Sequence, residues 1–179
     1  MFGVILWWLA VAIGAILLVT MAVVFRGAPY VPTRRRDLEQ AFSDLYAIGP
    51  SDTLVDIGSG DGIVLRMAAR RGARAIGVEI NPFLAWLSRW LSRREQLVSV
   101  VVADMWRYDL PTDATVVYVF GTGRDLERIA EWMELQVVRR SKPLYVISYG
   151  FQLPWPILRS AGAHYLYELM PLQGDKAQV

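Results

Sequence analysis

Two acids and three glycines at fixed spacing carry the chemistry open to this chain. Residues 55–62 read VDIGSGDG, and the next apolar run, Ala75 to Val78, ends in Glu79. An apolar strand running into glycines lets the backbone turn tightly and leaves amides at the following helix N-terminus open to a ligand. A carboxylate ending the next parallel strand, 23 residues after Asp56, stands where a ribose offers two hydroxyls. Together these residues describe a nucleoside-cofactor site. The alternative is a glycine-rich turn without a ligand.

Charge separates the two cofactor classes that use this layout. A dinucleotide site wants G-x-G-x-x-G with a pyrophosphate on the helix N-terminus. Here Gly58, Gly60 and Gly62 give G-x-G-x-G, and position 63 is Ile. Asp56, just ahead of the first glycine, would repel a pyrophosphate but can receive a cationic amino-acid group. S-adenosylmethionine carries an ammonium and a sulfonium and no phosphate, so it is the expected cofactor rather than NAD. Glu79, with Ile80 and Asn81 beside it, is expected at the ribose. Asp56 and the run Gly58, Ser59, Gly60 to Gly62 are expected at the methionine end. Asp104, followed by Met105, is expected at the adenine amino group; a helix cap is the other role open to it.

Composition removes other chemistries. Cysteine is absent, which excludes disulfides, thiolate metal sites and iron–sulfur clusters. The single histidine, His164, cannot build a histidine metal cluster, so no metal is expected and His164 reads as structural. The formal charge is +2 with dispersed basic residues, which suggests no nucleic-acid partner. Methyl transfer from a sulfonium mainly needs alignment and exclusion of water. The lack of a Ser-His-Asp set fits that, and no catalytic residue is assigned.

The elements that must position these residues alternate. Strands are expected at Thr53–Ile57, Ala75–Ile80, Val98–Val102, Thr115–Phe120 and Leu144–Ser148, with a sixth at His164–Met170. A helix with Leu38, Ala41, Phe42 and Leu45 on one face precedes the first strand, capped by Thr33. Another runs from the glycine loop to Arg71, closed by Gly72. A third starts at Asn81-Pro82 with Phe83, Leu87, Trp90 and Leu91 inward. A fourth has Leu126, Ile129, Ala130, Met133 and Val137 on one face. Continuous apolar strands alternating with helices mean a parallel sheet covered on both faces, with ligands beyond the strand C-termini. The fold expected is α/β, a Rossmann-like class I S-adenosylmethionine-dependent methyltransferase, truncated to six strands because only one strand fits after the fifth.

An uncharged, proline-free segment, Phe2 to Phe25, precedes this domain. Its 24 residues are long enough for a ~30 Å hydrocarbon core. A cleaved signal peptide would want a basic start, a shorter apolar run and an A-x-A-like site. An N-terminal transmembrane helix is therefore expected, with the lipid bilayer as a partner. Arg26, Arg34, Arg35 and Arg36 follow the span, which puts the domain on the cytoplasmic side of a single-pass membrane protein. The expected organisation is an anchor over 1–26, a linker and pre-sheet helix over 27–48, and the methyltransferase domain over 49–179.

Several segments together resemble a known family: Tyr30-Val31-Pro32-Thr33, VDIGSGDG, GVEINPFLAW, ADMWRYDL, VYVFGTG and FQLPWP. They are similar to the small single-span lysine methyltransferases, which have prokaryotic relatives. The eukaryotic members act in mitochondria on the ATP synthase c-subunit and the adenine nucleotide translocase. The resemblance implies lysine N-methylation of a membrane protein, and places Pro32 and Thr33 near the cofactor. The chain departs from the pattern in its short C-terminus and in GTGRDLERI after strand four. Phe120-Gly121-Thr122-Gly123 replaces the Asn/Asp-Pro-Pro-Tyr/Phe motif of enzymes that methylate planar nitrogens. An apolar acceptor pocket is expected near Phe120, Tyr149 and Trp155, favouring a deprotonated lysine. Small-molecule or lipid methylation, and a non-catalytic S-adenosylmethionine-binding scaffold, are the competing readings.

Overall fold

A computed structural model describes residues 2–24, 35–121 and 125–171. The chain divides into two compact units, Met1–Val31 and Pro32–Val179. In the first, helix α1 covers Phe2–Val24, with side chains described for residues 2–16. Among the described residues no helix is long and apolar enough to cross a membrane. That finding corrects the expected transmembrane helix, and with it the expected localisation as a single-pass membrane protein.

The second unit is built on a sheet of seven strands, not six. The strands are β1 (Thr53–Ile57), β2 (Arg74–Glu79), β3 (Val98–Val102), β4 (Val116–Phe120), β5 (Leu144–Tyr149), β6 (Arg159–Ala161) and β7 (His164–Leu169). Their order across the sheet is β3-β2-β1-β4-β5-β7-β6. The first five are parallel; β7 runs antiparallel to β5 and to β6. The unforeseen β6 has three residues and no apolar alternation, so only its pairing with β7 across Gly162 (φ +57°) makes it a strand.

Each face of the sheet has its own apolar layer. Leu54, Ala75, Tyr118, Ile147 and Leu166 point to one face. There they meet helix α2 (Arg35–Gln40), a π-helical turn over Ala41–Leu45, and helix α3 (Ile63–Ala69). The expected stripe Leu38, Ala41, Phe42 and Leu45 is buried in this layer. Its expected cap, Thr33, lies outside the described residues. Val55, Ile76, Val117, Val146 and Tyr167 point the other way, against Ile129, Trp132, Met133 and Val137 of a helix over Leu126–Arg140.

Helix α4 (Pro82–Leu91) starts as expected, with Asn81 Oδ1 accepting from the amides of Phe83 and Leu84. The Leu126–Arg140 helix that follows it in the chain is α5. The inward face of α4 is not the expected one. Of the expected residues, Phe83 and Trp90 are 53 % and 51 % exposed and Leu87 and Leu91 half-buried, while the fully buried ones are Ala85 and Ser88, with Ser92 at the C-cap. The reason is close packing. Ser88 lies so near Gly62 that a methyl group there would collide with its Oγ. At this contact only a small side chain fits.

Candidate active site

Ligand-binding loops lie beyond the strand C-termini, at the point where strand order reverses. Here that point is between β1 and β4, because β1 pairs with β2 on one side and β4 on the other. The acids follow on adjacent strands. Asp56 lies in β1, Glu79 ends β2, and Asp104 lies two residues past β3.

The loop after β1 turns through Gly58, Gly60 and Gly62, with φ of +82°, +53° and +77°. An L side chain rarely adopts that left-handed region. The amides of Gly58 and Ser59 both donate to Val78 O, at 2.8 and 3.2 Å, and Gly62 donates to Ser59 O at 2.8 Å. These amides therefore hold the loop to β2 and to itself. Glu79, only 6 % exposed, completes the construction. Its Oε2 accepts from Gly60 N and its Oε1 from Asn81 N, both at 2.8 Å. Each carboxylate oxygen keeps a further lone pair, so two hydroxyls can still be received.

These residues fit a cofactor with an amino-acid end and a ribose. A methyl group on Gly58 would meet nothing within 4 Å, so open space lies over the first glycine. Ser59 Oγ is buried, has no hydrogen-bond partner among the described residues, and lies against Gly77. Asp56 is 4 % exposed, and burial pushes its carboxyl well above the ordinary 3.8, with the charges of Glu79 and Asp61 adding to the effect. A cation beside it would relieve that cost.

A pH dependence follows. As pH rises above 3.8, Asp56 ionisation penalises the folded state, because its folded pKa lies above the unfolded one. The free protein loses that contribution to stability as pH climbs through the raised value. A cofactor α-ammonium placed beside Asp56 would gain a partner over the same window. Affinity for S-adenosylmethionine should therefore increase with pH, and Asp56→Asn should flatten the dependence. Calorimetric titrations across the window check this; a pH-independent wild type would remove Asp56 from the methionine end.

The other expected residues fall as follows. Ile80 is exposed at the end of β2, and Asn81 spends its side chain on capping α4. Asp104 Oδ1 accepts from Trp106 N at 3.1 Å, capping a short 3-10 turn over Met105–Arg107, and Met105 packs on the α5 side. Pro32 and Thr33 lie outside the described residues. Phe120 and Tyr149 are paired in register with ring centroids 5.9 Å apart. Trp155 does not join them. It packs on Tyr167 in the opposite layer and donates from Nε1 to Glu134 of α5 at 2.9 Å.

One buried cluster is not foreseen from the sequence. Tyr118 OH and His164 Nε2 share a 2.9 Å hydrogen bond, and the His164 ring lies 4.5 Å from that of Tyr149. The alternation in His164–Leu169 could have placed His164 on the Leu166 face; nothing local points to Tyr118.

The sheet order, glycine loop and strand-end acids define a class I S-adenosylmethionine-dependent methyltransferase domain. The family is equally specific. A model of the ANTKMT methyltransferase domain matches residues 56–156, more than half of the 179 residues, and the chain belongs to that family. The ATP synthase c-subunit lysine N-methyltransferase of Rattus norvegicus is 34% identical over 113 residues, covering 61% of this chain and 50% of the relative. That of Xenopus laevis is 30% identical over 129 residues, covering 70% and 54%. The chain spans about half the length of the curated relatives it matches. An RNA methyltransferase from Salinibacter ruber, solved with S-adenosyl-L-homocysteine, superposes with a TM-score of 0.70 at 27% identity, covering 80% of this chain and 95% of the other.

Proposed function

We propose that this protein transfers a methyl group from S-adenosylmethionine to a lysine amine of a membrane protein. The carrying observation is the kinship with lysine N-methyltransferases of the ATP synthase c-subunit. When bound, the cofactor supplies an electrophilic methyl group. Asp56 and the loop Gly58, Ser59, Gly60, Gly62 hold its amino-acid end. Glu79, set by Gly60 and Asn81, holds the ribose, with Ile80 alongside. Asp104 and Met105 receive the adenine. This occupies the C-terminal ends of β1, β2 and β3 and leaves those of β4 and β5 to the acceptor.

Phe120 and Tyr149 end those two strands. An apolar wall of this kind disfavours an ammonium and so favours the neutral amine that attacks. The dispersed charge of the chain supports a protein acceptor over RNA.

The test is incubation of the full chain with radiolabelled S-adenosylmethionine and membranes lacking it, then separate counting of protein, lipid and RNA. The expected result is label in protein, recovered as methyl-lysine after hydrolysis. Label confined to lipid, RNA or small molecules would end the lysine reading.

A further inference from the structure

His164 lies at the acceptor end of the sheet although its chemistry is not that of an acceptor-binding group. It is the only histidine in the chain and is 1 % exposed at the start of β7. Sheet register takes it there. Ile57 pairs with Val119, so Gly58 comes beside Phe120. Phe120 pairs with Tyr149, and Tyr149 with His164. One row thus crosses four neighbouring strands from the glycine loop to His164. At ~4.8 Å per strand it is about 14 Å long. Side chains of paired residues share a face, which is the face of Tyr118 and Ile147.

The contacts within this row are specific. The His164 and Tyr149 rings lie 4.5 Å apart at 33°, and Tyr149 lies 5.9 Å from Phe120. The imidazole is itself fixed from beneath by the 2.9 Å bond between Nε2 and Tyr118 OH. Just past Tyr149, Gly150 (φ +84°) donates from its amide to Ala163 O at 2.8 Å, tying the end of β5 to the residue before His164. A buried imidazole costs free energy unless it is hydrogen-bonded, and here Tyr118 supplies the bond. What an imidazole adds is orientation, through Tyr118. Burial also lowers the His164 pKa to about 4, against the opposing charge of Asp37. At neutral pH it therefore places no positive charge behind a wall that receives an amine.

We infer that His164 is a positioning residue that holds the Tyr149 ring against Phe120, so that the two form the wall of the acceptor site beside the glycine loop. This rests on the acceptor reading proposed above. His164 is too deeply buried to touch the acceptor, and its effect passes through Tyr149.

Three variants of the full chain test it: His164→Asn, His164→Phe and Tyr118→Phe. Two readouts are compared, calorimetric affinity for S-adenosylhomocysteine and the rate of methyl transfer into membrane protein at saturating S-adenosylmethionine. Product affinity should stay within about twofold in all three, since Tyr118 lies on β4 and His164 on β7 and no variant changes a residue of β1, β2 or β3. The transfer rate should fall at least about tenfold in His164→Asn, which loses the ring packed on Tyr149; misplacing reacting groups has effects of that size. His164→Phe keeps a ring against Tyr149 and should recover part of the rate. Transfer within twofold of wild type in every variant overturns the inference while leaving the acceptor reading intact. So does a parallel fall of product affinity and rate, the mark of a purely structural residue. Should His164→Asn fail to bind product at all, Tyr118→Phe decides, since it changes one hydroxyl: a reduced rate at unchanged affinity supports the inference, and an unchanged rate overturns it. A wild type that labels no protein while binding product overturns both readings.

Discussion

Glu79→Ala should weaken S-adenosylhomocysteine binding by about 1.5–3 kcal/mol, the scale of lost hydrogen bonds to a charged group. That is roughly ten- to 150-fold in affinity. Two losses combine. The carboxylate can no longer receive the ribose, and the amides of Gly60 and Asn81 lose the acceptors that fix the glycine loop to the end of β2. Glu79→Gln separates them. A glutamine keeps one acceptor oxygen but turns an NH2 group toward a backbone amide that also donates. It should therefore recover only part of the affinity. Glu79→Asp is one methylene short and should do no better. Titration calorimetry on the full chain gives the answer, and Glu79→Ala with affinity within twofold of wild type would take Glu79 out of the site.

The same residue shows how far local sequence reaches. A glutamate ending the second strand of a βαβ unit is legible from spacing alone. Its clamp on Gly60, 19 positions earlier, needs the loop folded back over β2. The strands themselves are easily read. β1 and β3 match their expected bounds because each is a short run rich in β-branched and apolar residues, bounded by turns. β6 does not, since Arg159–Ala161 carries no pattern and becomes a strand only through β7. Periodicity also picks the wrong face of α4. It selects large apolar residues, whereas the α4 residue that meets Gly62 is the small Ser88. Nearness in sequence groups Trp155 with Tyr149, but the intervening chain turns it to Glu134 on the far side. The role of His164 depends on Tyr118, 46 positions away. Hydropathy alone suggests a span over Phe2–Phe25, and among the described residues no helix is long and apolar enough for it.

Close packing at the glycine loop leads to the largest expected effect on stability. Gly62 has φ +77°, and an added Cβ would collide with Ser88 Oγ. Alanine in the left-handed region costs roughly 1–2 kcal/mol, and overpacking a filled site adds about 1–3 kcal/mol. Gly62→Ala should therefore destabilise the domain by about 2–5 kcal/mol, a large share of the roughly 5–15 kcal/mol typical of a whole protein. Denaturant melts of the full chain measure it. Ser88→Ala divides the two causes. Ser88 is fully buried and among the described residues its Oγ has no hydrogen-bond partner, so removing that oxygen should be nearly neutral or slightly stabilising. In the double variant the collision with oxygen is gone and the backbone strain remains. The loss should then shrink to about 1–2 kcal/mol, a coupling that independent sites would not show. If the double variant is as unstable as Gly62→Ala alone, backbone strain carries the whole effect and α4 is not pressed against the loop. If Gly62→Ala itself costs under about 0.5 kcal/mol, the size of an ordinary surface substitution, the loop does not turn through a left-handed glycine at this position.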